Sequence, residues 1–134
     1  MNSLTENLLE LLEWMNRWES HLAKLAGLTV PQGKVLSLIG RLDGPAMREV
    51  SSRLDLTSGT VTLMIDRLER LGYVERRMSE QDRRSFRLFL TDRGKKVYEL
   101  YRSRQDSMTA RLLEGQNPIL RAEFEAWLVE NFPL

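Results

Sequence analysis

The stretch from Thr57 to Thr91, TSGTVTLMIDRLERLGYVERRMSEQDRRSFRLFLT, decides the fold of this chain. Its apolar residues first follow the i, i+3, i+4, i+7 pattern, which predicts a helix that ends at Gly72. Two runs of strand-forming residues come next, Tyr73 to Met78 and Phe86 to Leu90, and seven polar residues join them. The stretch therefore predicts a helix, a hairpin with a long exposed tip, and a further helix that Thr91 caps.

Further helices are predicted on both sides of this stretch. Ser3 and Glu6 have the spacing of a capping box, so a first helix should run from Leu4 to about Ala26. A second helix should follow Thr29, and a short third helix should run from about Arg48 to Leu54. Two more helices are predicted after the hairpin. The fold class is therefore mainly α with a small β-hairpin wing, in the order of a winged helix-turn-helix.

The first helix carries an apolar seam that predicts packing against another helix. Seven apolar residues recur at alternating steps of four and three, as in a coiled coil. They are Leu4, Leu8, Leu11, Met15, Trp18, Leu22 and Leu25. Such an apolar terminal helix would be poorly covered in a small monomer, so we expect a homodimer. The expected interface residues come from the first and last helices: Leu4, Leu8, Leu11, Met15, Phe124, Trp127 and Leu128.

Charge and composition exclude several classes of function. The net charge is +1, but residues 41–104 hold 15 basic against 10 acidic residues, which indicates one anion-facing surface. The chain has no cysteine, so disulfides and cysteine-ligated zinc are excluded. Because His21 is the only histidine and there is no glycine-rich phosphate loop, the sequence predicts neither an enzyme nor a cofactor or metal site. No signal peptide or membrane span is predicted, which favours a cytoplasmic protein.

Two features of the deciding stretch suit DNA. The helix entry, from Thr57 to Thr62, is small and polar on its outward side, which allows close approach to a duplex. The hairpin tip holds Arg83 and Arg84, which could reach a neighbouring minor groove. Asp82 beside them could orient an arginine by an ion pair. Taken alone, the entry is as well explained by a helix cap, and the tip by an ordinary soluble turn. Only the combination of the helix entry and the arginine tip favours DNA binding.

These residues also carry a family resemblance. Between Leu28 and Gly94 the pieces LTVPQGKVLSLI, TSGTVTLMIDRLERLGYVERR, DRR and LFLTDRG resemble the MarR family of bacterial transcription regulators. The resemblance implies a homodimer whose recognition helices enter successive major grooves of a roughly palindromic site, with the wings in flanking minor grooves. It implies a single domain over residues 1–134, with a winged-helix part at 28–91 and dimerisation helices at 1–27 and 92–134. Many members release DNA on binding a small molecule.

The resemblance assigns DNA contacts position by position. Ser58, Thr60, Thr62 and Arg67 match the recognition helix, and Arg84 matches the minor-groove finger of the wing. Leu63 departs from the pattern, since the family often has an arginine there. A leucine cannot make a bidentate guanine contact, though it could pack on a thymine methyl. The expected DNA-binding residues are Thr57, Ser58, Thr60, Thr62, Leu63, Arg67, Arg77, Asp82, Arg83, Arg84 and Arg87. Further candidate phosphate contacts are Arg48, Arg53, Arg76, Arg93, Lys95 and Lys96.

The first helix also carries a candidate effector site. In the family, effectors often bind between the dimerisation helices and the winged helix. Trp14, Trp18 and His21 share a face of the first helix, with Arg17 nearby, so they could line a pocket for an aromatic or anionic molecule. The simpler interpretation is that the two tryptophans pack a dimer interface with the histidine at its edge.

Two functions remain open from the sequence. The first is a homodimeric, sequence-specific DNA-binding transcription regulator, in particular a repressor that occupies a pseudo-palindromic operator. The alternative is a winged-helix protein-interaction module without DNA binding, which Leu63 mildly favours and the arginine tip opposes.

Overall fold

The computed structural model describes residues 3–133, and these form helices and one two-stranded antiparallel sheet. The elements within them are α1 (Leu4–Leu25), α2 (Val30–Leu42), α3 (Met47–Leu54), α4 (Ser58–Arg70), β1 (Val74–Met78), β2 (Phe86–Leu90), α5 (Asp92–Leu112) and α6 (Pro118–Asn131). The predicted order is confirmed, and the predicted bounds agree to within two residues. Among the described residues, no helix is long and apolar enough to span a bilayer.

Local capping signals set the helix starts. The Ser3 hydroxyl accepts from the Glu6 amide at 3.2 Å, and the Glu6 carboxylate accepts from the Ser3 amide at 2.6 Å. Thr29 and Gln32 form the same reciprocal pair at the start of α2. Each pair satisfies two of the backbone amides that a helix leaves without an intrahelical partner. The capping box predicted at Ser3 is therefore present, and a second one starts α2 after Thr29, as the predicted helix start requires.

The hydrophobic core lies where α2, α3, α4 and β2 meet. Helix α2 contributes most to it, because four of its apolar side chains are fully buried. Each such side chain stabilises the fold by about 1.5–3 kcal/mol relative to leaving it in water. The largest fully buried side chains are Leu36, Leu38, Ile39, Ile65, Leu68, Leu88, Val35, Val50 and Val61.

Helix α5 packs against α2 through Tyr101. A side chain at Gly33 would overlap the Tyr101 ring and hydroxyl, so only glycine allows this approach. The Tyr101 side chain is buried, and burial raises the pKa of its phenol to about 12. The first part of α5 is thereby fixed to the winged-helix core.

The wing is tied to the body by backbone contacts at its base. Strands β1 and β2 pair with Val74 opposite Leu90 and Met78 opposite Phe86. The Leu88 amide donates to the carbonyl of Pro45 at 2.9 Å, which extends the pairing to the segment before α3. The base of the wing is therefore part of the core, and the tip projects from it.

In the sequence of β2, the residues Phe86, Leu88 and Leu90 alternate with Arg87 and Phe89, which predicts one inward and one outward face, and the observed burial follows this only in part. Leu88 is fully buried, as expected, but Phe86 is 41% exposed at the end of the strand nearest the tip. Phe89, expected on the outward side, is half-buried because its ring lies against Gly44 and under the guanidinium of Arg77. The two-residue period was correct, but the outward face is itself covered by a neighbouring loop and an arginine.

The exposure of the apolar seam of α1 changes along the helix. At its start Leu4 is 75% exposed and Leu8 is exposed, whereas Leu22 near its end is 3% exposed. Leu25, the last seam residue, is exposed again, in keeping with the drift of about 20° per heptad between a straight helix and a strict seven-residue repeat. Only part of the predicted seam is covered within the chain.

The chain divides into two compact units, the first ending at Arg102 and the second beginning at Ser103. The second unit holds the end of α5 and all of α6, and none of the α6 residues is buried. Within it Phe124 and Trp127 are stacked, with ring centroids 6.1 Å apart, and Phe132 meets Trp127 edge-on at 5.6 Å. Whether residues 1–134 form one domain stays a prediction.

Candidate nucleic-acid interface

A groove of about 750 Å³ lies between α3, the start of α4 and the wing. It brings together residues that are up to 41 positions apart in the sequence, from Ala46 to Arg87. Three arginines of its lining outnumber two acidic residues. The lining residues are Ala46, Met47, Arg48, Glu49, Ser51, Ser58, Thr62, Ser79, Gln81, Asp82, Arg84, Ser85, Phe86 and Arg87.

The start of α4 forms one wall of the groove. Thr57 is the N-cap, and its hydroxyl accepts from the Thr60 amide at 3.2 Å and donates to the Thr60 hydroxyl at 2.8 Å. Ser58 and Thr62 line the groove itself, and the Thr62 hydroxyl donates to the Ser58 carbonyl at 2.9 Å. Of the hydroxyl residues predicted at this helix entry, Thr57 and Thr60 thus hold the cap, and Ser58 and Thr62 face the groove.

The outward face of α4 carries the remaining residues that the sequence assigns to this helix. Leu63 is 69% exposed, and Arg67 is exposed one turn later. Gly59, one turn before Leu63, has open space where a side chain would lie. Residues four apart share a helix face, so these three positions form a stripe next to the groove.

The wing tip is shaped by Asp82. Its carboxylate accepts from the backbone amide of Arg84 at 3.0 Å, and its carbonyl accepts from the Ser85 amide and hydroxyl, each at 3.1 Å. The expected ion pair between Asp82 and an arginine side chain is replaced by this local turn, in which an Asp side chain stands in for a backbone acceptor. Arg83 and Arg84 are exposed, and Arg84 lines the groove.

The strand arginines are held by the protein. Arg76 forms ion pairs of 2.6 Å with both Asp66 and Glu69 on α4, and its side chain is three-quarters buried. The sequence placed Arg76 among the phosphate contacts, and it could not reveal these partners because they come from a different element. Arg76 therefore links β1 to α4.

The two other strand arginines are also engaged. Arg77 pairs with Glu75 at 2.9 Å from its Nε, and its guanidinium lies 4.3 Å from the centre of the Phe89 ring. The Nε of Arg87 donates to the Gly44 carbonyl at 2.6 Å, while the residue also lines the groove. Both were predicted to contact DNA, and they would do so from positions fixed by the protein.

The other candidate phosphate contacts lie in varied places. Arg48 lines the groove and Arg53 is exposed on the same helix, α3. The guanidinium of Arg93 lies 5.4 Å from the centre of the Tyr73 ring, and Lys95 and Lys96 are exposed on α5. Sequence reasoning missed Ser79 and Gln81 as groove residues, because nothing in a polar tip indicates which of its side chains turn inward.

The residues predicted for an effector site lie on α1 with mixed exposure. Trp14 and Trp18 are half-buried, and Trp18 packs against the hydrophobic core. His21 is exposed, and Arg17 pairs with Glu13 at 3.8 Å on the helix surface. This arrangement leaves both sequence-based interpretations open.

The residues predicted for a dimer interface are exposed in the single chain with one exception. Met15 is half-buried, and Trp127 is 49% exposed. The remaining members are exposed large apolar side chains: Leu4, Leu8, Leu11, Phe124 and Leu128. Apolar residues this numerous on two helices are unusual for a surface that stays in contact with water.

Comparison with known proteins agrees with this geometry. Residues 28–86 match the model of the MarR family. The chain is 43% identical over 68 residues to the HTH-type transcriptional regulator TtmR of Methylorubrum extorquens, covering 51% of this chain and 35% of TtmR. It is 34% identical over 100 residues to the HTH-type transcriptional regulator YkoM of Bacillus subtilis, covering 72% of this chain and 62% of YkoM. The chain thus spans about a third and three fifths of these relatives.

A solved structure extends the likeness to almost the whole chain. The crystal structure of Streptococcus pneumoniae FabT in complex with DNA superposes with a TM-score of 0.76 at 28% identity, covering 94% of this chain and 93% of FabT. The fold and the groove define a winged helix-turn-helix protein. Over residues 28–86 the sequence also matches the MarR family model, so this part of the chain is similar to MarR-family transcription regulators. The predicted resemblance to the MarR family and the predicted winged-helix fold are confirmed.

Proposed function

We propose that this chain binds operator DNA as a homodimer and acts as a repressor. The observation that carries the proposal is the groove, which brings Ser58 and Thr62 of α4 together with Arg84 of the wing tip. Hydroxyl side chains at a helix start and an arginine on a projecting hairpin are the groups that major-groove and minor-groove contacts require.

The charge of the groove supports an anionic partner. Arg48, Arg84 and Arg87 line it against Glu49 and Asp82, so its balance is positive. The N-terminus of α4 adds the positive end of a helix dipole at the same place. A duplex lying across the groove would therefore place phosphates beside cationic groups while α4 enters the major groove, which is about 12 Å wide.

The wing tip supports a minor-groove contact beside the major-groove one. Asp82 fixes the tip through the Arg84 amide, so the Arg84 guanidinium projects from an ordered turn. An arginine held in this way loses less conformational entropy on binding than one on a mobile loop. The similar protein FabT was crystallised in complex with DNA, which supports DNA binding by a chain of this fold.

The exposed apolar faces support the homodimer. The first part of the α1 seam and the aromatic residues of α6 lie in water in the single chain. A twofold dimer would cover the same residues on both copies and place two α4 helices in successive major grooves, about 34–36 Å apart. The operator would then be pseudo-palindromic, and a promoter overlapping it would be blocked.

A small-molecule effector is a further part of this proposal. Trp14 and Trp18 offer half-buried aromatic surface on α1, and His21 and Arg17 are exposed beside them. An aromatic or anionic molecule is the class that such a set would bind. The bound effector would have to favour a spacing of the two α4 helices that does not fit the operator.

Selection of bound sequences from a random DNA pool tests the proposed function. We expect a palindromic consensus with half-sites about one helical turn apart, and light scattering should give the mass of a dimer. Thr62→Glu should abolish enrichment because it puts a carboxylate in the groove, whereas Arg41→Gln, which lowers the net charge by the same amount on the exposed surface of α2, should not. An unenriched pool from a folded wild-type protein would contradict DNA binding and favour the protein-interaction module.

A further inference from the structure

Leu63 lies on the face of α4 opposite the core. Val61, Ile65 and Leu68 are fully buried and mark the inner face of the helix. At about 100° per residue, Leu63 points nearly the opposite way. It is 69% exposed, and among the described residues of α4 it is the one large apolar side chain that lies mostly in solvent.

The neighbours of Leu63 leave its methyl groups uncovered. A helical side chain leans toward the preceding turn, so Leu63 lies over Gly59. Gly59 has no side chain, and nothing lies within 4 Å of where one would begin. The leucine is therefore presented outward, and the backbone at Gly59 can come close to a partner surface.

A single exposed leucine is ordinary on a protein surface, but its place here is informative. On the proposed function, this face of α4 meets the base edges of the major groove. Those edges carry hydrogen-bond donors and acceptors, and their one apolar group is the C5-methyl of a pyrimidine. Leucine can satisfy no donor or acceptor, so it gains free energy only where that methyl group lies.

We propose that Leu63 is a specificity-determining residue that packs on the C5-methyl group of a pyrimidine in each operator half-site. In unmodified DNA that base is thymine. The inference rests on the proposed function, because it requires α4 to lie in the major groove. At the contacted base pair, Leu63 would favour a base that carries a C5-methyl group, whereas an arginine would favour guanine.

The size of the effect follows from the area of one methyl group. Burying one such group changes affinity by about fourfold, so two symmetric half-sites give about fifteenfold. Deoxyuridine pairs with adenine as thymine does and lacks only the methyl group. Replacing thymine by deoxyuridine therefore isolates this contact from every hydrogen bond.

The experiment uses the consensus duplex selected by the wild-type protein. Each thymine pair is replaced symmetrically by deoxyuridine, one position at a time, and affinity is measured for wild type, Leu63→Ala and Leu63→Met. We expect one position at which the change weakens wild type by about fifteenfold. The effect should persist in Leu63→Met, which keeps apolar contact, and shrink to nearly onefold in Leu63→Ala. Thermal melting should be unchanged, since the residue is exposed.

A second arm separates the methyl group from thymine itself. At the sensitive position a G·C pair is tested with cytosine and with 5-methylcytosine, and the methylated base should bind wild type more tightly. Equal affinities there, an absent deoxyuridine effect, or an effect that persists in Leu63→Ala would overturn the inference while leaving DNA binding intact. Failure of wild type to bind any selected duplex would instead overturn the proposed function, and the inference with it.

Discussion

The arginines on the strands of the wing and those at its tip differ in what holds them. Arg76 is three-quarters buried and pairs with two carboxylates of α4, and Arg87 donates to the backbone before α3. Within residues 3–133, the guanidinium groups of Arg83 and Arg84 make no ion pair or hydrogen bond with the protein. The strand arginines therefore brace the wing against α4, and the tip arginines remain available to a partner. Residue type alone does not distinguish these two roles.

The largest expected effect compares two apolar positions on the same strand. Leu88→Ala should lower the free energy of unfolding by about 2–5 kcal/mol, because it leaves a cavity under the base of the wing. Phe86→Ala, two positions nearer the tip, should cost much less because Phe86 is 41% exposed. Chemical denaturation measures both. Equal losses would show that the base and the tip of the wing do not differ in this way.

The next largest effect concerns the ion pairs that Arg76 forms with α4. Arg76→Gln should lower the free energy of unfolding by about 1 kcal/mol, since it leaves two partly exposed carboxylates on α4 without their partner. DNA affinity should fall because the wing shifts, but its dependence on salt should keep the same slope. The measurement is affinity across a salt series. A slope reduced by about 0.9 per subunit would instead identify Arg76 as a phosphate contact.

The smallest expected effect lies at Asp82. Asp82→Ala removes the acceptor that fixes the Arg84 amide, so DNA affinity should fall a few-fold while thermal stability stays the same. Asp82→Asn keeps an oxygen acceptor and removes a negative charge, so it should bind at least as well as wild type. Titration of the operator with both variants tests this. Equal weakening of the two would show that the charge matters, through the ion pair that the sequence suggests.

Most of the fold follows from local signals. Capping at Ser3 and Thr29 depends on residues three positions away, so sequence alone places the starts of α1 and α2. The start of α3 is different, because its N-cap Ala46 has no side-chain cap and is held by a bridge to Arg87 in the wing. That contact joins residues 41 positions apart, which no local pattern indicates.

The candidate site divides in the same way. The family resemblance predicts that the site lies between α4 and the wing, but it does not predict which arginines are already paired within the protein. Arg76 and Asp66 are ten positions apart on different elements, so their ion pair depends on how the strand packs on the helix. Phe89 is half-buried for the same kind of reason, since Gly44 comes from a distant loop. The sequence identifies which residues carry charge, and only the structure shows which of them already pair with other residues of the protein.

The most direct test of the account is the affinity of Arg84→Gln for the selected operator at physiological salt. The matched control is Arg41→Gln, which removes the same charge from the exposed surface of α2. We predict that Arg84→Gln binds about tenfold more weakly or worse with unchanged thermal melting, and that Arg41→Gln binds as wild type does. Wild-type affinity in Arg84→Gln would contradict the claim that the wing tip is a DNA contact.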